Sequence, residues 1–174
     1  MQQVQYINGH LWATLTTSIS IKNDPAARDG IAWFNINAQA GRIASQGYVA
    51  SQGNYLIYPA ILRTVEGTTA ITFTITSATI NPSAAYVVRK STASRFGAIH
   101  IAASGNGPHL SFSDTIPVIG TPRWGDYSAA VLDPNGADIW LATEYIPAPT
   151  SQDPFDNWGT RIFDTRRHLN APPL

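Results

Sequence analysis

Apolar and polar residues alternate in short runs along this chain, and the runs recur between clusters of turn residues. Residues 70–76, AITFTIT, alternate almost strictly, the period-two signature of a strand with one face buried. The same reading predicts strands over 10–17, 30–37, 42–50, 56–64, 69–77, 84–90, 97–103, 126–132, 138–146 and 158–164. Between them stand Asn23-Asp24-Pro25, Glu66-Gly67, Asn81-Pro82, Gly105-Asn106-Gly107-Pro108 and Asp133-Pro134-Asn135-Gly136, residue types that turn a chain back on itself. No long stretch carries a convincing helical period. Residues 148–157 read as a surface loop and 165–174 as a flexible tail.

The pattern also repeats. Residues 58–75, YPAILRTVEGTTAITFTI, align with 127–144, YSAAVLDPNGADIWLATE. Tyr58 falls on Tyr127, Ala60 on Ala129 and Gly67 on Gly136, and, one residue out of step, the buried-looking Ile71 and Phe73 answer to Ile139 and Leu141. A recurring supersecondary unit buries its apolar face only against its neighbours. One period holds four meandering strands, the composition of a β-propeller blade. The fold class predicted is therefore all-β: a single domain over 1–164 forming an incomplete propeller of about two and a half blades. A partial blade of three strands spans 10–50, a full blade 54–103 and a partial blade 123–164. A ten-stranded sandwich or barrel is the rival architecture, and the strand spacing permits it. Propellers typically have about four to eight blades, so this number closes no ring by itself. Open blade edges invite pairing with another chain, which predicts a homo-oligomer.

Composition narrows the partners more than the chemistry. Eleven basic residues balance eleven acidic ones with no run of Lys or Arg, which removes the electrostatic footprint of a nucleic-acid binder or a binder of anionic membranes. No apolar stretch approaches the roughly 20 residues that span a bilayer as a helix. Zero cysteines exclude disulfides and thiolate metal sites. The first 30 residues show no basic segment leading into an apolar core, so no signal peptide is predicted here. Scarce Lys and Glu beside abundant Thr, Ser, Ile and Tyr favour strands over surface helices.

Residues 123–146, RWGDYSAAVLDPNGADIWLATEYI, and 158–162, WGTRI, carry a resemblance. They resemble a signature of bacterial secreted proteins described as sialidase-like or BNR-type β-propellers. The likeness covers about the last 50 residues, and more weakly the preceding period through Ser83-Ala84-Ala85-Tyr86 and the glycines at 105–107. It implies a propeller fold and a parent protein that is secreted or displayed at the cell surface. The Asp-box of sialidase repeats, S-x-D-x-G-x-x-W, has only a loose echo here, in Asp133 to Trp140.

The candidate chemistry gathers in the same region. Arg123-Trp124-Gly125-Asp126-Tyr127 sits where an innermost strand would begin, and a cation, an indole, a carboxylate and a phenol together suit a sugar. The structural alternative gives Asp126 to turn amides, Arg123 to a neighbouring carboxylate and Trp124 to packing between blades. Glu144, one of two glutamates, ends a buried-looking strand next to Asp126. Glycosidases use two carboxylates, about 5–5.5 Å apart for retention and about 6.5–9.5 Å apart for inversion. Partial burial of Glu144 would raise its pKa, as suits a general acid; a salt bridge to Arg161 or Arg123 is the alternative. The predicted catalytic pair is therefore Asp126 and Glu144, with Arg123, Trp124, Tyr127, Tyr145, Trp158 and Arg161 as carbohydrate contacts. Trp12, Trp33 and Trp140, inside apolar strands, are predicted as core.

No cofactor is predicted. His10, His100, His109 and His168 share no metal-ligand spacing, and the aspartates match no calcium-loop pattern, so no metal site is predicted. No nucleophile elbow and no phosphate-cradling glycine loop is present. Two function classes remain. The first is a carbohydrate-active protein, in its sharpest form a glycoside hydrolase. The second is a non-catalytic binding or scaffold portion of an exported bacterial protein.

Overall fold

In a computed structural model of the chain, residues 3–109, 124–147 and 158–168 are described. They form three antiparallel sheets, each a meander in chain order. The first contains β1 (Val4–Ile7), β2 (His10–Ile19), β3 (Arg28–Asn37) and β4 (Arg42–Val49). The middle one contains β5 (Tyr55–Arg63), β6 (Thr69–Thr76), β7 (Ser83–Arg89) and β8 (His100–Ala103). The third contains β9 (Ala129–Leu132), β10 (Ile139–Tyr145) and β11 (Gly159–Asp164), and runs into one helical turn, α1 (Thr165–His168).

The all-β expectation holds, with differences at both ends. The first sheet has four strands where three were expected. Asn8 and Gly9 both take positive φ, 49° and 78°, and join β1 to β2 in a two-residue hairpin. The chain past 164 is structured up to residue 168. Thr165 is buried, its hydroxyl accepts the Ile139 N–H (3.3 Å), and Arg166 pairs with Asp138. Residues 169–174 lie outside the described residues.

The sequence repeat has a conformational counterpart. Gly67, between β5 and β6, and Gly136, between β9 and β10, both take positive φ, 99° and 76°, at the same corner of the unit. The hydroxyls of Thr74 and Thr143, 69 residues apart, lie 3.4 Å from each other across the gap between the middle and third sheets.

The middle sheet is buried on both faces, and β6 shows how. Toward the first sheet, Ile71, Phe73 and Ile75 pack with Leu56, Ile61 and Val87 against Trp12, Ile31, Trp33 and Val49. Toward the third sheet, Ala70 packs with Ala60, Leu62 and Tyr86 against Ala130, Ile139, Leu141 and Phe163. Thr72 and Thr74 share this second face and are equally buried. The expectation of one exposed face for 70–76 is thus overturned. Both threonine hydroxyls donate to carbonyls, Thr72 to Ala85 (3.1 Å) and Thr74 to Glu144 (3.0 Å), so they need no water.

Two guanidinium groups enter the first interface. Arg89, 8% exposed, lies over the rings of Trp33 (4.8 Å), Trp12 (5.1 Å) and Phe96 (5.3 Å), and Arg63 over Trp12 (4.9 Å). Burial lowers the affinity of both for their protons, and for Arg89 the charge of Arg63 adds to it. The ring faces supply the negative potential that a carboxylate would otherwise bring.

The edge strands β5 and β9 do not leave fully open edges. The Gln5 amide accepts the Arg63 N–H (2.7 Å) and donates to the Arg63 carbonyl (2.8 Å). Gln3 does the same to Ala130, at 3.0 and 2.6 Å. Each side chain imitates one residue of a pairing strand and tethers the first sheet to a neighbour.

Candidate functional site

The site region lies where the end of β10 meets the 124–128 segment and the middle sheet. Asp126 and Tyr127 are exposed; Trp124, Gly125 and Ser128 are half-buried. The segment is pinned from below. The Trp124 indole N–H donates to the Thr74 hydroxyl (3.4 Å), which in turn donates to the Glu144 carbonyl (3.0 Å). Ser128 and Thr143 share a hydrogen bond of 2.8 Å. Thr74, Thr143 and Ser128 therefore fix both sides of the candidate pair, and none of them stands out in the sequence.

Glu144 is half-buried, and its carboxylate packs directly on Gly125. A Cβ at position 125 would collide with both carboxylate oxygens, so any side chain there would push the Glu144 carboxylate off this seat. Burial first, and the charge of Asp126 second, raise the Glu144 pKa above its ordinary value. The charge of Asp126 reaches Glu144, so the two carboxylates singled out from sequence lie within electrostatic range of each other.

The other predicted contacts divide. Tyr127, 75% exposed, and Glu144 line a groove of about 230 Å³ with Ser128, Ala129, Ala142, Thr143 and Thr160. Trp158 is exposed, and Tyr145 is half-buried opposite Gly159 in the β10–β11 ladder. Arg161 pairs in register with Thr143, while Glu144 pairs with Thr160. Successive residues point to opposite faces, so the Glu144–Arg161 salt bridge weighed from sequence does not form. Arg123 lies outside the described residues. His109 is brought to Trp124, its ring edge-on to the indole at 5.0 Å.

Trp140 departs from its prediction as core. It is 41% exposed and donates its indole N–H to Asp133 (2.6 Å), because its neighbours Ile139 and Leu141 take the buried face. Trp12 and Trp33 are core as expected.

A larger cleft, about 690 Å³, lies elsewhere, between β4 and the β7–β8 connection. Trp33, Tyr48, Arg95 and Phe96 are among its lining residues, and no acid or histidine is. It can hold a ligand but brings no carboxylate or imidazole to it, so the smaller groove beside Glu144 is the better place for carboxylate chemistry. Among the described residues no group of His, Asp or Glu is arranged to hold a metal ion. No family model, no curated protein and no solved structure matches the chain.

Proposed function

We propose that this chain is a carbohydrate-active protein, a glycoside hydrolase whose carboxylate pair is Asp126 and Glu144, carried on sheets that are blades of a propeller. The sialidase-like propeller resemblance, with its exported parent, is part of the same proposal. The observation that carries the reading is the Glu144 carboxyl: half-buried, seated on Gly125, and raised in pKa by burial and by Asp126. A proton held to higher pH beside a second carboxylate is what a general acid for glycosidic oxygen needs. Exposed Tyr127 and Trp158 are available for stacking on a sugar ring.

The test is hydrolysis of a panel of chromogenic glycosides by the parent chain, Glu144→Gln and Asp126→Asn. The expected result is turnover by the parent and a loss of about 100-fold or more in each variant. Turnover unchanged in both variants would remove this pair from the chemistry. Absence of turnover on every sugar would favour the second class, a non-catalytic binding or scaffold portion of an exported bacterial protein. Exposed apolar side chains on the first and third sheets, Tyr6, Tyr48, Val131 and Ile162, speak for that class.

A further inference from the structure

The cleft of about 690 Å³ away from Glu144 is a slot beside a strand. One wall is residues 46–51, the second half of β4 and the chain just past it; the other is residues 94–99 of the β7–β8 connection. Six consecutive residues line it on each side. A cleft over a sheet face is lined by every second residue of a strand, because neighbours point to opposite faces, whereas a cleft along a strand's edge meets them all. Strand β4 is such an edge: among the described residues it pairs with β3 alone. Its outward N–H and C=O groups therefore run along the slot. The devices that protect an edge stand at its other end. The bulge opposite Asn35 and Ile36 and the charge of Arg42 lie near its start, while 46–51 holds no charge, no proline and no bulge. The edges of β5 and β9, by contrast, are taken by Gln5 and Gln3.

We propose that this slot takes an extended acidic peptide segment of another protein, which adds as a strand to β4 over 46–51. Main-chain hydrogen bonds to the edge would supply the affinity, and the slot walls the selectivity. The inner wall is aromatic. Trp33 and Phe96 meet edge-on at 5.7 Å and both line the slot, offering apolar rings to every second side chain of an added strand. Gly47 stands opposite Trp33 in register and leaves the indole its place, since a Cβ there would come within 2.9 Å of the ring. Charge selects an acidic partner. Arg95 lines the slot and is exposed, and among the described residues no hydrogen bond or ion pair holds it. Behind the wall, Arg89 lies over the rings of both Trp33 (4.8 Å) and Phe96 (5.3 Å), and Arg63 shares the Trp12 ring with it. No carboxylate among the described residues pairs with either guanidinium. Their charges act through aromatic rings, which screen less than water does. No acid lines the slot, so a chain that is neutral overall is positive here. The edge over 46–51 is roughly 20 Å long, enough for about six residues of a partner strand. The inference rests on neither the blade reading nor the chemistry of Glu144.

Fluorescence anisotropy tests it, with the full chain and labelled hexapeptides that alternate glutamate with valine, leucine or phenylalanine. At least one of these is expected to bind, and its lysine counterpart at least tenfold more weakly. Arg95→Glu, at an exposed position, is expected to weaken the acidic peptide at least tenfold with unchanged far-ultraviolet dichroism, and Glu144→Gln to leave it unchanged. N-methylation of the peptide's alternate amides along one edge is expected to abolish binding, and along the other edge to spare it. Amide hydrogen exchange at 46–51 is expected to slow when the peptide binds. Binding that ignores methylation on both edges, or that leaves exchange at 46–51 unchanged, would come from side chains alone and overturns the inference. So does equal binding of the lysine peptide, or no binding by any acidic peptide of the set. Binding lost in Glu144→Gln would move the peptide to the smaller groove and overturn it as well. Glycoside turnover is read separately, and none of these results decides it.

Discussion

The two faces of the middle sheet are buried equally and built differently. Toward the first sheet lie Phe73, Ile71 and Val87 against two stacked indoles, Trp12 and Trp33, whose centroids are 6.3 Å apart. Toward the third sheet, beside Leu62 and Tyr86 packed on Leu141 and Phe163, lie small or hydroxyl-bearing side chains, Ala60, Ala70, Thr72 and Thr74, against Ala130 and Thr143. The first face holds the chain together by area and dispersion, which are large and non-directional. The second adds to its own apolar packing hydrogen bonds of defined geometry, worth less in stability but able to fix positions to a few tenths of an ångström. The candidate site hangs from the second face, through Thr74. Both sides of the sheet carry apolar packing, and the second also places the site.

Phe73→Ala should have the largest effect. The ring is fully buried, and its removal is expected to lower stability by about 3–5 kcal/mol in urea unfolding. A loss below about 1 kcal/mol would break the comparison at its strong side. Thr74→Val keeps the shape and removes the hydroxyl that serves both Trp124 and Glu144. It is expected to lose about 1–3 kcal/mol and to disturb the site out of proportion to that, read as loss of any glycoside turnover. A stability loss with turnover intact would separate Thr74 from the site.

Glu144→Gln should have the smallest effect on stability, and its sign is the informative part. The unfolded chain ionises Glu144 at the ordinary value, while the folded chain holds the proton to higher pH. Stability from that proton is whole below the unfolded pKa and is lost as pH rises through the folded pKa. The variant, which cannot ionise, is therefore expected to be slightly more stable than the parent at about pH 7 and equal to it at about pH 3. Urea midpoints at the two pH values check this. A variant less stable than the parent at neutral pH would assign the Glu144 charge a structural role. A gain in stability on removing a functional group is the usual trade at an active site.

Much of the fold was legible because strands with alternating burial announce themselves by period two. The limits of β2 to β7 fall within two residues of those read from the sequence, since turn residues bound them. Strand β1 was missed although Asn8-Gly9 is a strong hairpin signal; only four residues precede it in the strand, too few to show a period. The double burial of β6 was hidden because threonine reads as polar, and only the structure reveals that carbonyls of Ala85 and Glu144 satisfy it. Trp140 was misread because the run Ile139-Trp140-Leu141 has no visible phase, and its orientation is set by pairing with Val131 and Asp164. Within the site, Asp126 and Glu144 could be found as carboxylates on neighbouring segments. Thr74 could not, because its place beneath Glu144 depends on how two sheets stack. Gly125 was visible only as a glycine, with its tenant Glu144 far along the chain.

The most direct measurement is the titration of Glu144 itself. The chain has two glutamates, so carbon-13 labelling at the glutamate carboxyl gives two resonances, and Glu66→Gln identifies the one from Glu144. The account predicts that Glu144 titrates above its ordinary value, and that Asp126→Asn lowers that pKa by removing the neighbouring charge. Titration at the ordinary glutamate value, unmoved by Asp126→Asn, would contradict it, because Glu144 would then be neither desolvated nor paired with the second carboxylate.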